Sequence, residues 1–403
     1  MADQALSGTS VLDLSHGVSG GYCTKVLADL GAQVIKIEPP SVGDSLRRVG
    51  PFLNDVPNLE TSAPFLYLNM GKKSVTLNLE SETGRSMLLR LVQQADVLVE
   101  SFNPGFMAEL GLDYAALEQV NPGLVMASIS YFGQSGPYRD YEGCDIVAHA
   151  ISGYMYLTGD EDREPLKPGG CQSGYQAGLQ AAMAVLAALT HRDFTEQGQH
   201  IDLSTIEALA STFDGVAAYT MLERQGIMPR RAGTRLINRD PHYAYPSTQL
   251  PCRDGWVHVH YSPSNPEGLA FLTESPRLAE PEVMTSMMGH ADEIDQVLSE
   301  WLKDHDREEV QTLAQEIRIP FTMVQSIAEV LEDPQNEAMG FFVEIDHPVA
   351  GKLRYPGSPF HLPESPWKPV RPPLLGEHNY EIYCRRLGHS REDLVRLREL
   401  NIV

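Results

Sequence analysis

Short apolar runs alternate with longer stretches of helical periodicity through the first third of the chain. Ser10–Leu14 (SVLDL) reads as a strand, followed by the small-residue turn Gly17-Val18-Ser19-Gly20-Gly21, the helix-like YCTKVLADLGA and a second apolar strand, VIKIE. That succession is a βαβ unit, because a continuous apolar run suits a strand buried on both faces and a 3.6-residue period suits its crossover helix. Ser74–Leu79, Asp96–Val99 and Leu124–Ser130 read as further strands, and Ser81–Gln94 as an amphipathic helix. The pattern predicts an α/β fold with a doubly wound, mostly parallel, Rossmann-like sheet. The glycine turn lacks GxGxxG spacing, so close packing or turn geometry explains its glycines at least as well as a phosphate cradle does.

Beyond Ser173 the text GYQAGLQAAMAVLAALTHR predicts a helix of small residues that another backbone can approach closely, in a crowded core. The texture changes over Met221–Pro246, which is basic, proline-bearing and weakly periodic, and reads as a connection into a second domain. There DGWVHVHY alternates as a strand, and Asp292–Ile317 predicts two amphipathic helices. His347–Gly357 reads as a hairpin, followed by proline-rich SPWKPVRPP and a last helix that returns to the first domain.

Composition narrows the function classes. With 42% hydrophobic and 21% charged residues this is a globular protein, and Ala177–Leu189, its longest nearly apolar run, is too short for a membrane span. The first residues lack a basic region and an apolar core, so the cytoplasm is expected. A formal net charge of −23, from 31 basic and 54 acidic residues, argues against nucleic acid and disfavours an anionic ligand such as coenzyme A unless basic groups gather locally. Five cysteines (Cys23, Cys144, Cys171, Cys252, Cys384) without CxxC spacing predict reduced, mostly buried thiols rather than disulfides or a zinc knuckle. His258 and His260, two apart on a strand, share one face, but no third ligand accompanies them and no metal is expected.

The blocks VLDLSHGVSGGYCTKVLADLGAQVIKIEPP, NMGKKSVTLNLESETG, ADVLVESFNPG, LGLDY, NPGLVMASISYFGQSGPYRDYEGCD, ISGYMYLTG, QGQHIDLSTIEA, DGWVHV, DPQNEAMGFF, HPVAGKLRYPGSPF and LLGEHNYEIYCRRLG, in this order, resemble the class III (CaiB/BaiF) CoA-transferases from about Leu6 to Val403. The resemblance implies a large Rossmann-like domain (1–211 and 329–403), a smaller α/β domain (212–328) and two subunits interlocked like linked rings. It also implies an aspartate nucleophile at the start of the small-residue helix, which attacks an acyl-CoA thioester and carries CoA to an acceptor acid. Pro165, Gly169, Ala177, Gly178, Leu179, Ala181 and Ala182 fix the register, and the position of that aspartate is Gly174. No catalytic residue of the family type is therefore expected in this chain.

Neighbouring positions depart in the same direction. Cys171 is the one nearby side chain able to act as a nucleophile at neutral pH, but it lies three residues upstream, and positioning tolerates about 1 Å. Cys144 stands where related racemases carry a histidine, Val18 where some transferases have a glutamine, and Gly21 replaces a usual proline. Asp145 matches an acidic position that frames the family's site. Two CoA-contacting cations are replaced by Glu80 and Glu109, whereas Asn69, Lys72 and Lys73 match a basic block and are the expected coenzyme A contacts.

Val18, Cys144, Asp145 and Gly174 thus read as a vestigial site. The expected function is that of a non-catalytic subunit in a heteromeric class III CoA-transferase, with an acyl-CoA thioester such as succinyl-CoA and a carboxylic acid as substrates, and a paralogous partner supplying the aspartate. Succinyl-CoA:(R)-benzylsuccinate CoA-transferase, of aromatic compound catabolism, is one such heteromer. The His242–Ser247 loop and the Tyr261–Asn265 strand end are the expected contributors to a partner's site. Two alternatives stand beside this reading: an active CoA-thioester lyase, hydrolase or epimerase using Cys171, Asp145 or His16, and a structural or regulatory homodimer.

Overall fold

A computed structural model describes residues 4–212, 215–228, 230–231, 233–235, 244–262 and 264–403, with the side chains of 215–218 also left aside. The chain divides into two compact units. One comprises Met1–Tyr154, Lys167–Thr220 and Glu337–Val403, and the other Met155–Leu166 and Met221–Asn336.

The first unit is built on a six-stranded sheet: β1 (Ser10–Asp13), β2 (Gln33–Glu38), β3 (Lys73–Thr76), β4 (Val97–Glu100), β5 (Val125–Ser130) and β6 (Gln199–Ser204). All five pairings are parallel, in the order β3-β2-β1-β4-β5-β6. This is the doubly wound arrangement that the alternating runs predict. Successive side chains of a strand serve opposite layers, and both layers hold buried apolar clusters. Leu12, Ile35, Leu98 and Met126 join one core with Met87, Leu88, Leu91 and Tyr383. Val11, Val34, Val97 and Ala127 join the other with Cys23, Leu27, Ala177, Ala181 and Val185.

Three expectations need correction. The glycines at 17–21 are not a turn but the first turn of helix α1 (Gly17–Asp29), which begins one residue past His16. Gly20 makes this possible, since a Cβ there would stand 2.1 Å from the Ser15 Cβ. β6 lacks a strand signal in the sequence, because this edge strand, the mostly exposed or half-exposed text QHIDLS, has no apolar run of the kind that marks the other five strands. The hairpin begins earlier than expected: β10 (Phe342–His347) pairs with β11 (Gly351–Pro356) from Phe342 onward.

The last segment closes the outer edge of the sheet. Asn379 accepts from the Thr76 N–H at 2.9 Å and donates to its hydroxyl at 2.8 Å, and the Tyr383 hydroxyl donates to the Thr76 carbonyl at 2.7 Å. A side-chain amide thereby satisfies an edge that would otherwise invite another strand.

The second unit packs a small antiparallel sheet, β7 (Ser247–Cys252), β8 (Gly255–His260) and β9 (Thr322–Met323), with β8 central. Its core gathers Val257 and Val259 with Ile294, Leu298 and Leu302 of the helix Ala291–Leu302 and Val310 of the helix Arg307–Glu316. No described helix is long and apolar enough to cross a membrane.

Candidate active site

In an open parallel sheet the crevice lies beyond the carboxyl ends of the strands, where the winding direction reverses. Here that point lies between β1 and β4. The His16 N–H donates to the Ser101 hydroxyl oxygen at 2.9 Å, and that hydroxyl donates back to the His16 carbonyl at 3.0 Å, tying the two strand exits together. A cavity of about 460 Å³ opens above them, lined by His16, Val18, Phe102, Tyr131, Arg139, Cys144, Asp145, Cys171, Ser173 and Gly174 among others. The structure therefore brings together all four positions read as a vestigial site, with His16 and Cys171.

The helix Gln172–Thr195 enters this site against α1. Its small residues serve close approach: a Cβ at Gly178 would lie 2.4 Å from the Ser19 carbonyl oxygen and 3.1 Å from the Cys23 nitrogen. At Gly174 a Cβ would meet the Val18 Cβ at 2.9 Å and its Cγ1 at 3.0 Å. The space a nucleophile's side chain needs is taken by valine. The helix is capped from outside, since its N-cap residue Cys171 makes no side-chain cap. Asp145, first residue of the helix Asp145–Ile151, accepts from the Ser173 N–H at 3.0 Å and its hydroxyl at 2.7 Å, and pairs with Lys167 at 2.9 Å. Burial pushes the Asp145 carboxyl up, but the Ser173 hydroxyl and Lys167 bring it below its usual value.

The cysteines are free, but their expected burial needs correction. Only Cys23 is buried, whereas Cys144 and Cys171 are exposed and Cys252 and Cys384 intermediate. The reason is local: Cys144 and Cys171 are the N-caps of two helices whose first turns form the cavity rim.

Asn69, Lys72 and Lys73 do not reach the cavity. Beneath the site, Asp13 accepts from Lys72 at 3.0 Å and from the Thr24 and Ser15 hydroxyls at 2.6 and 2.5 Å, while Lys36 pairs with Asp44 at 2.7 Å. Beside them Arg47 pairs with Glu38 at 2.7 Å. Three carboxylates and three cations are thus buried as a near-neutral set, the arrangement that offsets the cost of burying charge. Burial alone would raise Asp13, but the Lys36 and Lys72 ammoniums hold it well below the usual carboxylate range. Lys72 also donates to the Asn69 side-chain Oδ1 at 3.0 Å, and Lys73 pairs with Glu381 at 2.6 Å. In the structure these three side chains are engaged within the fold.

Arg139 and Phe102 escaped the sequence reading. Arg139 lines the cavity, its Nε is buried without an acceptor among the described residues, and the exposed Asp140 lies 3.6 Å from it, beyond hydrogen-bonding reach. An aromatic-flanked arginine, Tyr138-Arg139-Asp140-Tyr141, was the available signal. Phe102 stands edge-on to His16, ring centroids 5.5 Å apart, and lines both this cavity and a second one of about 250 Å³ that also touches His16, Pro39, Pro40, Leu79 and Glu80. Glu109 is exposed and lines neither. Burial and the Lys36 ammonium lower the His16 imidazole, which leaves it neutral at pH 7.

Other candidates lie elsewhere. His258 and His260 have their Nδ1 atoms engaged by Gln249 at 3.0 Å and Ser247 at 3.1 Å, and no metal-binding group of three occurs among the described residues. Within the two expected partner-facing segments, His242, Tyr243 and Pro263 lie outside the described residues.

Comparison with known proteins places this site in context. The family model of CoA-transferase family III matches residues 6–379. The chain is 34% identical over 406 residues to the succinyl-CoA–L-malate CoA-transferase alpha subunit of Chloroflexus aurantiacus, covering 99% of this chain and 92% of that protein. It is 33% identical over 421 residues to the formyl-CoA:oxalate CoA-transferase of Streptomyces coelicolor, with 100% of both covered. Among solved structures, a CaiB/BaiF family protein from Brucella suis matches with a TM-score of 0.84 at 31% identity, over 95% of this chain and 99% of that one.

Proposed function

This chain belongs to CoA-transferase family III, and from that membership we propose that it is the non-catalytic subunit of a heteromeric transferase. The complex moves CoA between an acyl-CoA donor such as succinyl-CoA and a carboxylic acid acceptor, and a related partner chain supplies the aspartate. One observation carries the reading: Gly174 lacks a nucleophile, and Val18 fills the volume where its side chain would begin. Acyl transfer through a mixed anhydride needs an ionised carboxylate aimed at the thioester carbon, and nothing at this position can provide one.

Several features support retained ligand chemistry. The two cavities adjoin at His16 and Phe102, a division suited to the two ends of a long thioester, and Arg139 offers a buried Nε without an acceptor among the described residues. An interlocked dimer is part of the proposal. On the helix Gln172–Thr195, Leu179, Met183 and Phe194 are 46%, 56% and 85% exposed, an apolar face suited to a protein partner. The Chloroflexus relative is itself named as an alpha subunit. Location in the cytoplasm, a large domain of 1–211 with 329–403 and a small one of 212–328 complete the reading.

The experiment is purification from the native cell followed by transfer assays on the complex and on this chain alone. Transfer by the complex, with none by the isolated chain, is the expected result. Turnover by the isolated chain at rates typical of enzymes, or a chain that never co-purifies with a related one, sinks the proposal.

A second reading is favoured by one observation, that Cys171, Asp145 and His16 share the cavity. Thiol–thioester exchange at Cys171 would release free CoA and leave an acyl-cysteine. Mass spectrometry of the intact chain after exposure to acyl-CoA discriminates, because the non-catalytic subunit gains no mass.

A further inference from the structure

Arg139 is the one guanidinium or ammonium group among the described residues that line the larger cavity, in a chain whose formal net charge is −23. The carboxylates around that cavity make no hydrogen-bonded ion pair with it among the described residues. Asp145 is held by Lys167 and Ser173, Glu142 is exposed, and Asp140 stands 3.6 Å from the Arg139 Nε with its own side chain 83% exposed. The Nε itself is buried, with no acceptor among the described residues, whereas the side chain as a whole is 42% exposed and can be reached from the cavity. A buried N–H without a partner is costly, and an oxygen brought by a ligand would offset that cost.

The arginine is held in place from two directions along the chain. Its backbone N–H donates to the Gly136 carbonyl at 3.3 Å and the Tyr141 N–H to the Tyr138 carbonyl at 2.9 Å, so the segment folds back on itself. Aromatic rings fasten that turn: Tyr138 lies 4.9 Å from Tyr141, and Phe132 lies 6.1 Å from each. The loop after β4 supplies the rest. Gly105 has a φ of +96°, a conformation that glycine adopts freely, and a Cβ there would stand 2.9 Å from the Arg139 Nη2. The missing side chain gives the guanidinium its room beside a loop whose Phe102 and Asn103 line the same cavity. A cation fixed before the ligand arrives spares part of the ordering cost of binding.

We propose that Arg139 is a specificity-determining residue that pairs with a carboxylate in this cavity, and that the ligand is a singly charged half-ester or half-thioester of a dicarboxylic acid. The guanidinium fork matches a carboxylate with two parallel N–H···O bonds, one from Nε and one from an Nη. One cation balances one negative charge. A phosphate dianion would leave a charge unbalanced in a cavity that Asp145 and Glu142 also line, and a second free carboxylate would do the same. A dicarboxylic acid joined to CoA at one end keeps a single carboxylate, as a succinyl thioester does. The inference rests on the proposed use of this cavity for an acyl group and names which acyl groups it takes. The nucleophile missing at Gly174 plays no part in this recognition.

The probe is monomethyl succinate, which has one carboxylate and one ester, compared with dimethyl succinate, which has no carboxylate. Each is titrated at constant ionic strength into the full chain labelled with 15N-arginine, and the Arg139 Nε–H resonance is identified by its loss in Arg139→Lys. The expected result is a saturable shift of that resonance with the half-ester and none with the diester. Arg139→Gln should weaken binding of the half-ester about tenfold or more, by loss of a charge-assisted pair. Arg139→Lys should recover only part of it, having the charge without the fork. An Nε–H that monomethyl succinate leaves unmoved overturns the proposal. So does equal binding of the two esters, tighter binding of inorganic phosphate, or undiminished binding in Arg139→Gln. If Arg139→Gln fails to fold, the spectra of the native chain still decide. The subunit role is read from transfer by the complex, which these titrations do not measure, so either reading can fail without the other.

Discussion

At the scale of single residues, the absence at Gly174 is more than a missing carboxylate. Because Val18 presents its Cβ, not a flexible tip, to the vacant position, Gly174→Asp alone must displace a side chain at its root. Overpacking of this kind costs about 1–3 kcal/mol. We expect Gly174→Asp to lower the urea midpoint without creating transfer activity, and Val18→Gly combined with it to restore the midpoint; additive midpoints in the double variant would show that the two positions do not share the volume. The buried charges give a second ordering. Asp13→Asn strands the buried Lys72 ammonium, while Lys36 keeps Asp44, and should cost about 3–5 kcal/mol, more than Lys72→Met, which leaves Asp13 with Lys36. Chemical denaturation of the two variants checks the order. The register that identifies Gly174 was legible in the sequence, since small residues at fixed spacing carry it. Val18 as the occupant of the gap was not, because a contact between residues 156 apart follows from the approach of two helices and leaves no local pattern.

Elements show where propensity and packing disagree. Alanine favours a helix over glycine by about 1 kcal/mol, so propensity alone predicts that Gly178→Ala stabilises the helix Gln172–Thr195. Its Cβ would sit 2.4 Å from a backbone carbonyl of α1, which cannot rotate away. We expect a net loss of stability, read as a lower thermal midpoint, whereas a raised midpoint would mean that the helices part readily. The strand β4 carries a pH dependence of its own. Glu100 has a folded pKa raised above the ordinary 4.5, so its neutral form suits the fold. Its contribution to stability is therefore complete below the unfolded value and is lost as pH rises through the folded one. Urea midpoints measured across that window should fall with pH in the native chain and lose this component in Glu100→Gln. Five of the six parallel strands were readable as apolar runs because they are buried on both faces. β6 was not, because an edge strand half open to water needs no such run.

For the whole molecule, the family and the parallel sheet agree with what the ordered blocks and apolar runs imply. Lys72 matches a motif but is spent on Asp13, a distinction that burial makes and spelling does not. The first unit is assembled from three separate stretches of chain, and its outer strand β3 receives its last hydrogen bonds from Asn379 and Tyr383, some 300 residues later. During synthesis, β3 therefore waits with bare edge groups until Asn379 and Tyr383 have been made, while the second unit has all its residues by Asn336. Release of incomplete chains before residue 379 should yield aggregation through that edge, and a nascent chain of this protein should depend on chaperones longest at the strand it makes third.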